Sequence, residues 1–112
     1  MKVEVSKMGG VTLLKCSGSL DADNIAAFKK TTYDLLDQDV KKFVLDASKI
    51  DFVDSMGLGV LIALLRRVKQ NDGDIKIASL TPDVKTIFEI TKLYRLFDVA
   101  DTVKEAVERF KR

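Results

Sequence analysis

The chain has 112 residues, 46% of them hydrophobic and 32% charged, with 19 lysines and arginines against 17 aspartates and glutamates. That length holds a single domain, residues 1–112, around one core, and the composition excludes disordered and collagen-like chains. Two surplus positive charges leave no basic face for direct nucleic-acid binding, and the absence of histidine removes the commonest general base, the Ser-His-Asp triad and most zinc or iron sites.

Val3 and Val5 alternate with Glu4 and Ser6, and Gly9-Gly10 supplies two residues suited to a tight turn before the run Val11 to Cys16. This pattern predicts an antiparallel hairpin. Asp21 or Asp23 is placed to cap a helix whose inward face is Ile25, Phe28, Thr32, Leu35 and Leu36. Lys42 to Ala47 is a short apolar run ending near an aspartate, as expected of an interior strand covered on both faces. A second helix is predicted from Ser55 to Asn71, closed by Asn71-Asp72-Gly73, with Leu58, Leu61, Ile62, Leu65 and Val68 inward. Asp74 to Ser79 alternates as a strand.

Thr81-Pro82 starts a third helix, because proline at the first helical position gives up no hydrogen bond. Its inward residues are Val84, Ile87, Phe88 and Thr91. A short strand is expected around Phe97 to Val99. The last helix opens on a capping-box pattern, Thr102 to Glu105, and turns Val103, Ala106, Val107 and Phe110 inward. The order β-β-α-β-α-β-α-β-α predicts an α/β fold. Its sheet is mixed, an N-terminal antiparallel hairpin followed by parallel βα units, with helices packed against it.

The longest run without a polar residue, Met56 to Leu65, has ten positions, against the roughly 20 that a spanning helix needs. No membrane insertion is expected. The lone Cys16 has no intrachain partner, which fits a reducing compartment, and a cytoplasmic location is the expectation.

Neither a GxxxxGK[ST] loop nor GxGxxG is present, since Ile62 stands where the latter needs glycine. Asp46, Asp51 and Asp54 are close in sequence, but three acids at a strand end and in a loop are expected to be caps and solvated turns, and no metal is assigned. A receiver domain with Asp46 as phosphoacceptor would need an acidic pair after the first strand. That strand ends in Ser6-Lys7-Met8. Ser55 beside Asp54 has no base to activate it, and Lys49 reads as an ordinary surface residue, so no enzyme is predicted.

What remains is Asp51-Phe-Val-Asp-Ser-Met-Gly-Leu-Gly59, where a loop becomes a helix. On spacing alone Ser55 reads first as a helix cap, worth about 1 kcal/mol. Three details point further. Gly57 and Gly59 each cost a helix about 1 kcal/mol relative to alanine, leaving the backbone open for packing on the sheet or for a partner's approach. Met56, Val60 and Leu64 lie off the inward stripe, so the sheet wraps the helix deeply, the expected reading for Val60 and Leu64, or part of it is a contact surface. A helix N-terminus also favours added negative charge by about 0.3–1 kcal/mol, so a phosphate on Ser55 would be tolerated there.

The stretch DSMGLG, with FVLDAS and KIDFVD before it, resembles the signature of the small STAS domains, the anti-sigma factor antagonists of bacteria. GSLDADN and the segment from SLTPDVKTIFEI to DTVKEAV resemble the same family, so the likeness covers essentially the whole chain. Met56 departs from it, because the family more often has serine or alanine there. The resemblance implies a STAS-like fold and a partner-switching role. Ser55 would be the phosphorylation site, and Asp21, Asp23, Asp54, Met56, Gly57 and Leu58 would share its partner-binding surface. The partners implied are an anti-sigma factor that is also a serine kinase, bringing its own ATP, and a PP2C-type phosphatase. The chain itself would need no cofactor and would be a monomer when free. An alternative within the same fold is a scaffold or sensor subunit of a larger signalling complex, or a transporter accessory.

Overall fold

The computed structural model describes residues 1–111. Strands β1 (Lys2–Met8) and β2 (Val11–Leu20) form the predicted antiparallel hairpin, with Lys2 opposite Ser17 and Met8 opposite Val11. Helix α1 (Ile25–Asp37) leads to β3 (Lys42–Val53), α2 (Ser55–Gln70) to β4 (Asp74–Ala78), and α3 (Pro82–Thr91) to β5 (Asp98–Ala100), before the final helix α4 (Val103–Arg109). The sheet order is β1-β2-β3-β4-β5, and every pair after the hairpin is parallel. The expected mixed α/β sheet is therefore the fold.

The sheet buries a core on each face. The larger joins Leu14, Cys16, Phe43 and Leu45 from the strands to Phe28 of α1, Leu61, Leu64 and Val68 of α2, and Val84 and Phe88 of α3. Full burial of side chains this size stabilises the fold by roughly 1.5–3 kcal/mol each. The smaller core sets Ala106 and Val107 of α4 against Val11, Val44, Ala78 and Ala100. Polar contacts hold α4 down: Arg109 donates to Asp98 and, at 2.9 Å, to Glu105, while Lys76 donates to Asp98 at 3.0 Å and lies 4.6 Å from the Phe110 ring centroid. Burial pushes the Asp98 carboxyl up, but Lys76 and Arg109 outweigh it and hold it below the usual carboxylate range.

Four details differ from the pattern reading. The strands β2 and β3 run on past Cys16 and Ala47 to Leu20 and Val53, although their second halves are polar. Pairing with each other sustains them, across register shifts after Lys15 and Gly18. The N-cap of α1 is Asn24, not Asp21 or Asp23, because the Asp21 carboxylate accepts from the Asp23 N–H (3.1 Å) and the Asn24 amide (3.0 Å). Val60 and Leu64 of α2 are buried as expected, with Leu61, Leu65 and Val68, but Leu58 and Ile62, expected inward, are only half-buried. Thr91, expected inward on α3, is exposed.

Candidate functional site

The strands β2 and β3 end side by side, Leu20 opposite Val53, and this pairing builds the site. The Asp54 N–H donates to the Leu20 carbonyl at 3.3 Å, so the chain leaves β3 tied to the end of β2. Extended backbone at Asp54 then turns into α2. The Asp54 carboxylate caps the helix, accepting the Gly57 N–H at 2.8 Å, and its other oxygen accepts the Ala22 N–H at 3.1 Å. One carboxylate thus clamps the start of α2 to the loop before α1. These contacts also set its charge. The Gly57 N–H holds the Asp54 carboxyl below the usual carboxylate range, partial burial opposes this, and the Ala22 and Met56 N–H groups add to the lowering.

With Asp54 as the cap, Ser55 is released from that duty. It is the first residue of α2 and is exposed. Met56 beside it is 53% exposed, and Leu58 is half-buried. Gly57 is buried: a Cβ there would lie 2.0 Å from the Leu20 carbonyl oxygen and 3.0 Å from Val53 Cγ1. Of the two readings open for this glycine, packing against the sheet is the one that holds. Gly57 sets the position of the surface rather than lining it.

Asp23 is exposed and Asp21 half-buried, and the Ala22–Asp54 bond brings their loop to the same end of the molecule as Ser55. Asp51, three residues before Asp54, accepts from the Ser19 hydroxyl at 2.8 Å. Phe52 is 50% exposed on the strand leading to Asp54. The sequence reading missed it by ending the strand at Ala47; the strand runs on to Val53, and a register shift between Ile50 and Phe52 breaks its alternation, so that Ile50 and Val53 are buried while Phe52 is exposed. The surface is therefore a serine hydroxyl and two half-exposed apolar side chains, Phe52 and Met56, with carboxylates around them.

Asp46, Asp51 and Asp54 each have their own task, Asp46 accepting from the Ser48 N–H at 3.0 Å. Among the described residues no group of three or more cysteines, aspartates or glutamates is placed to hold a metal ion, and no helix is long and apolar enough to cross a membrane.

The STAS domain matches residues 2–106 of this chain. A protein of Thermotoga neapolitana, named provisionally as an anti-sigma factor antagonist, is 31% identical over 99 residues, covering 88% of each chain. A crystal structure of a Thermotoga maritima protein with the same provisional name superposes with a TM-score of 0.93 at 27% identity, covering 98% of this chain and 95% of that one. The anti-sigma factor antagonist SpoIIAA of Bacillus, in its unphosphorylated form, shares the fold at a TM-score of 0.76 and 17% identity, with 98% of each chain covered. With nearly its full length matched, the chain belongs to the STAS domain family.

Proposed function

We propose that this protein is an anti-sigma factor antagonist that switches partners through phosphorylation of Ser55. The observation that carries the reading is the exposed serine at the first position of α2, its capping role taken by Asp54. Unphosphorylated, the surface around Phe52, Met56 and Ser55 docks an anti-sigma factor that is also a serine kinase, and this frees the sigma factor. The kinase supplies ATP and transfers its γ-phosphoryl group to the Ser55 oxygen, leaving ADP. A PP2C-type phosphatase reverses the step by hydrolysis. The likeness to SpoIIAA, a protein with described unphosphorylated and phosphorylated forms, supports this reading. The reading places the protein in a bacterial cytoplasm, where kinase and sigma factor reside.

The switch is electrostatic. Docking buries apolar area worth about 25 cal/mol per Å². A phosphate adds about −1.5 to −2 charge in the middle of that contact, beside Asp54 and the loop of Asp21 and Asp23. Desolvating it costs a few kcal/mol, and each 1.4 kcal/mol is a tenfold loss of affinity. The test is the affinity of Ser55→Ala and Ser55→Asp for the purified cognate anti-sigma factor. The alanine form is expected to bind as the unmodified protein does and the aspartate form at least tenfold more weakly. Equal binding by both overturns the charge switch.

A further inference from the structure

Five of the six glycines are explained by the fold itself. Gly9, Gly10 and Gly18 have positive φ, and a Cβ on Gly57 or Gly73 would lie within 2.2 Å of a backbone oxygen. Gly59 is the exception: it is exposed, helical, and a side chain there would meet nothing within 4 Å. A glycine inside an exposed helix weakens that helix, and here nothing within the chain requires it. What it provides is close approach from outside.

The surroundings of Gly59 show what approaches. Ser55, Met56 and Gly59 are exposed, Ile62 and Ala63 half-exposed, and Arg66 exposed, a 3-4 spacing that makes one continuous stripe along α2. From Ser55 to Leu65 the helix carries no charge, a length of roughly 15 Å at 1.5 Å per residue. The two ends differ in sign. Asp54, with the loop of Asp21 and Asp23 tied to it, stands at the start of the stripe. Arg66 and Arg67 stand at the far end; Arg67 is engaged with the Tyr33 ring, 4.7 Å from its centroid.

We infer that this face of α2 receives an amphipathic helix of the partner, laid along the stripe with basic residues over Asp54 and an acidic residue over Arg66. The inference rests on the proposed role in that its partner is the anti-sigma factor. It adds the partner's element and the direction in which it lies. A helix fits because its ridges enter the gap left by Gly59 between Met56 and Ala63, and its charges must run opposite to those of the stripe.

The experiment measures binding of the cognate anti-sigma factor to Gly59→Leu, Arg66→Glu and Ser55→Asp, each first shown to be folded by circular dichroism. Gly59→Leu fills the gap and is expected to bind at least tenfold more weakly. Arg66→Glu is expected to bind about fivefold more weakly and to recover when the facing acid of the partner is reversed to lysine. A photo-crosslinker at position 56 and another at 63 should capture partner residues about seven apart on one helix. If Ser55→Asp weakens binding while Gly59→Leu and Arg66→Glu stay within twofold of the unmodified protein, the docked helix is wrong and the phosphorylation switch stands. If the two stripe variants weaken binding and Ser55→Asp does not, the docked helix stands and the switch falls. Crosslinks confined to a loop or strand of the partner also overturn it.

Discussion

The carbonyl oxygen of Leu20 occupies the space where a side chain at residue 57 would begin, 2.0 Å from a Cβ built on Gly57. Backbone on both sides makes this contact, so no side-chain rotation relieves it. Two glycines two residues apart on the same helix therefore make opposite predictions. Gly57→Ala is expected to destabilise the fold by about 3 kcal/mol, the upper part of the range for overpacking. Gly59→Ala, in open space, is expected to stabilise it by about 1 kcal/mol. Urea unfolding of both variants checks the pair; similar shifts of the same sign would contradict the geometry.

This pair also marks where sequence reasoning stopped. Poor helix formers at 57 and 59 are visible in the letters, but which one the sheet demands depends on where Leu20 ends β2, a contact between residues far apart in the chain. The hairpin, the alternation of helices and strands, and the helix starts at Ser55 and Pro82 were legible because each rests on local chemistry: paired glycines, 3.6-residue spacing, a proline at the first turn. The second halves of β2 and β3 were not. Ser17, Ser19, Lys49 and Asp51 have no strand pattern alone; Lys49 is held by Ser17, which also pairs with Lys2 of β1, Ser19 by Phe52, and Asp51 by the Ser19 hydroxyl. That pairing carries Phe52 to the site. Likewise Asp54 and Ser55 were both candidate caps by type, and only the folded backbone shows that Asp54 takes the bond.

The double acceptance by Asp54 gives stability a defined response to acid. Its folded pKa lies below the unfolded value, so the ionised carboxylate is favoured by folding. The contribution is present above the unfolded carboxylate value of about 3.9 and is lost as pH falls through the lowered folded value. An asparagine side chain at this position can still cap the helix but does not titrate. Asparagine keeps one acceptor for the Gly57 N–H but turns its NH2 toward the Ala22 N–H, so Asp54→Asn is expected to unfold at a lower urea midpoint than wild type at pH 7 and to lose less stability on passing below pH about 4. Asp54→Ala should be the less stable of the two at pH 7. Urea midpoints measured from pH 7 down to 3 decide it. An unchanged acid slope in Asp54→Asn would show that the clamp is not a source of the pH response.

Cys16 offers a readout of whether the sheet opens. It is fully buried in the larger core, and burial, with the negative charge of Asp46 second, pushes its thiol up to about 12. Only the thiolate reacts quickly with disulfide reagents. The native protein at pH 8 is expected to leave a thiol reagent unconsumed over minutes, and the protein in concentrated urea to react completely. Prompt labelling of the native protein would mean that β2 separates readily from α1 and α2.

The last prediction concerns what phosphorylation does to the chain itself. Ser55 is at the first position of α2, where the unpaired N–H groups favour negative charge by about 0.3–1 kcal/mol, and Asp54 next to it opposes this by like-charge repulsion. The two effects are of similar size and opposite sign. Neither removes a bond of the cap, because the Ser55 hydroxyl is not what holds Gly57 or Ala22. The Ser55-phosphorylated protein, prepared with the cognate kinase and ATP, is thus expected to keep its far-ultraviolet circular dichroism and to unfold within about 1 kcal/mol of the unphosphorylated form. Its affinity for the anti-sigma factor should nonetheless fall at least tenfold. A fold loosened by several kcal/mol would replace a switch that acts by charge at the contact with one that acts by undoing the start of α2.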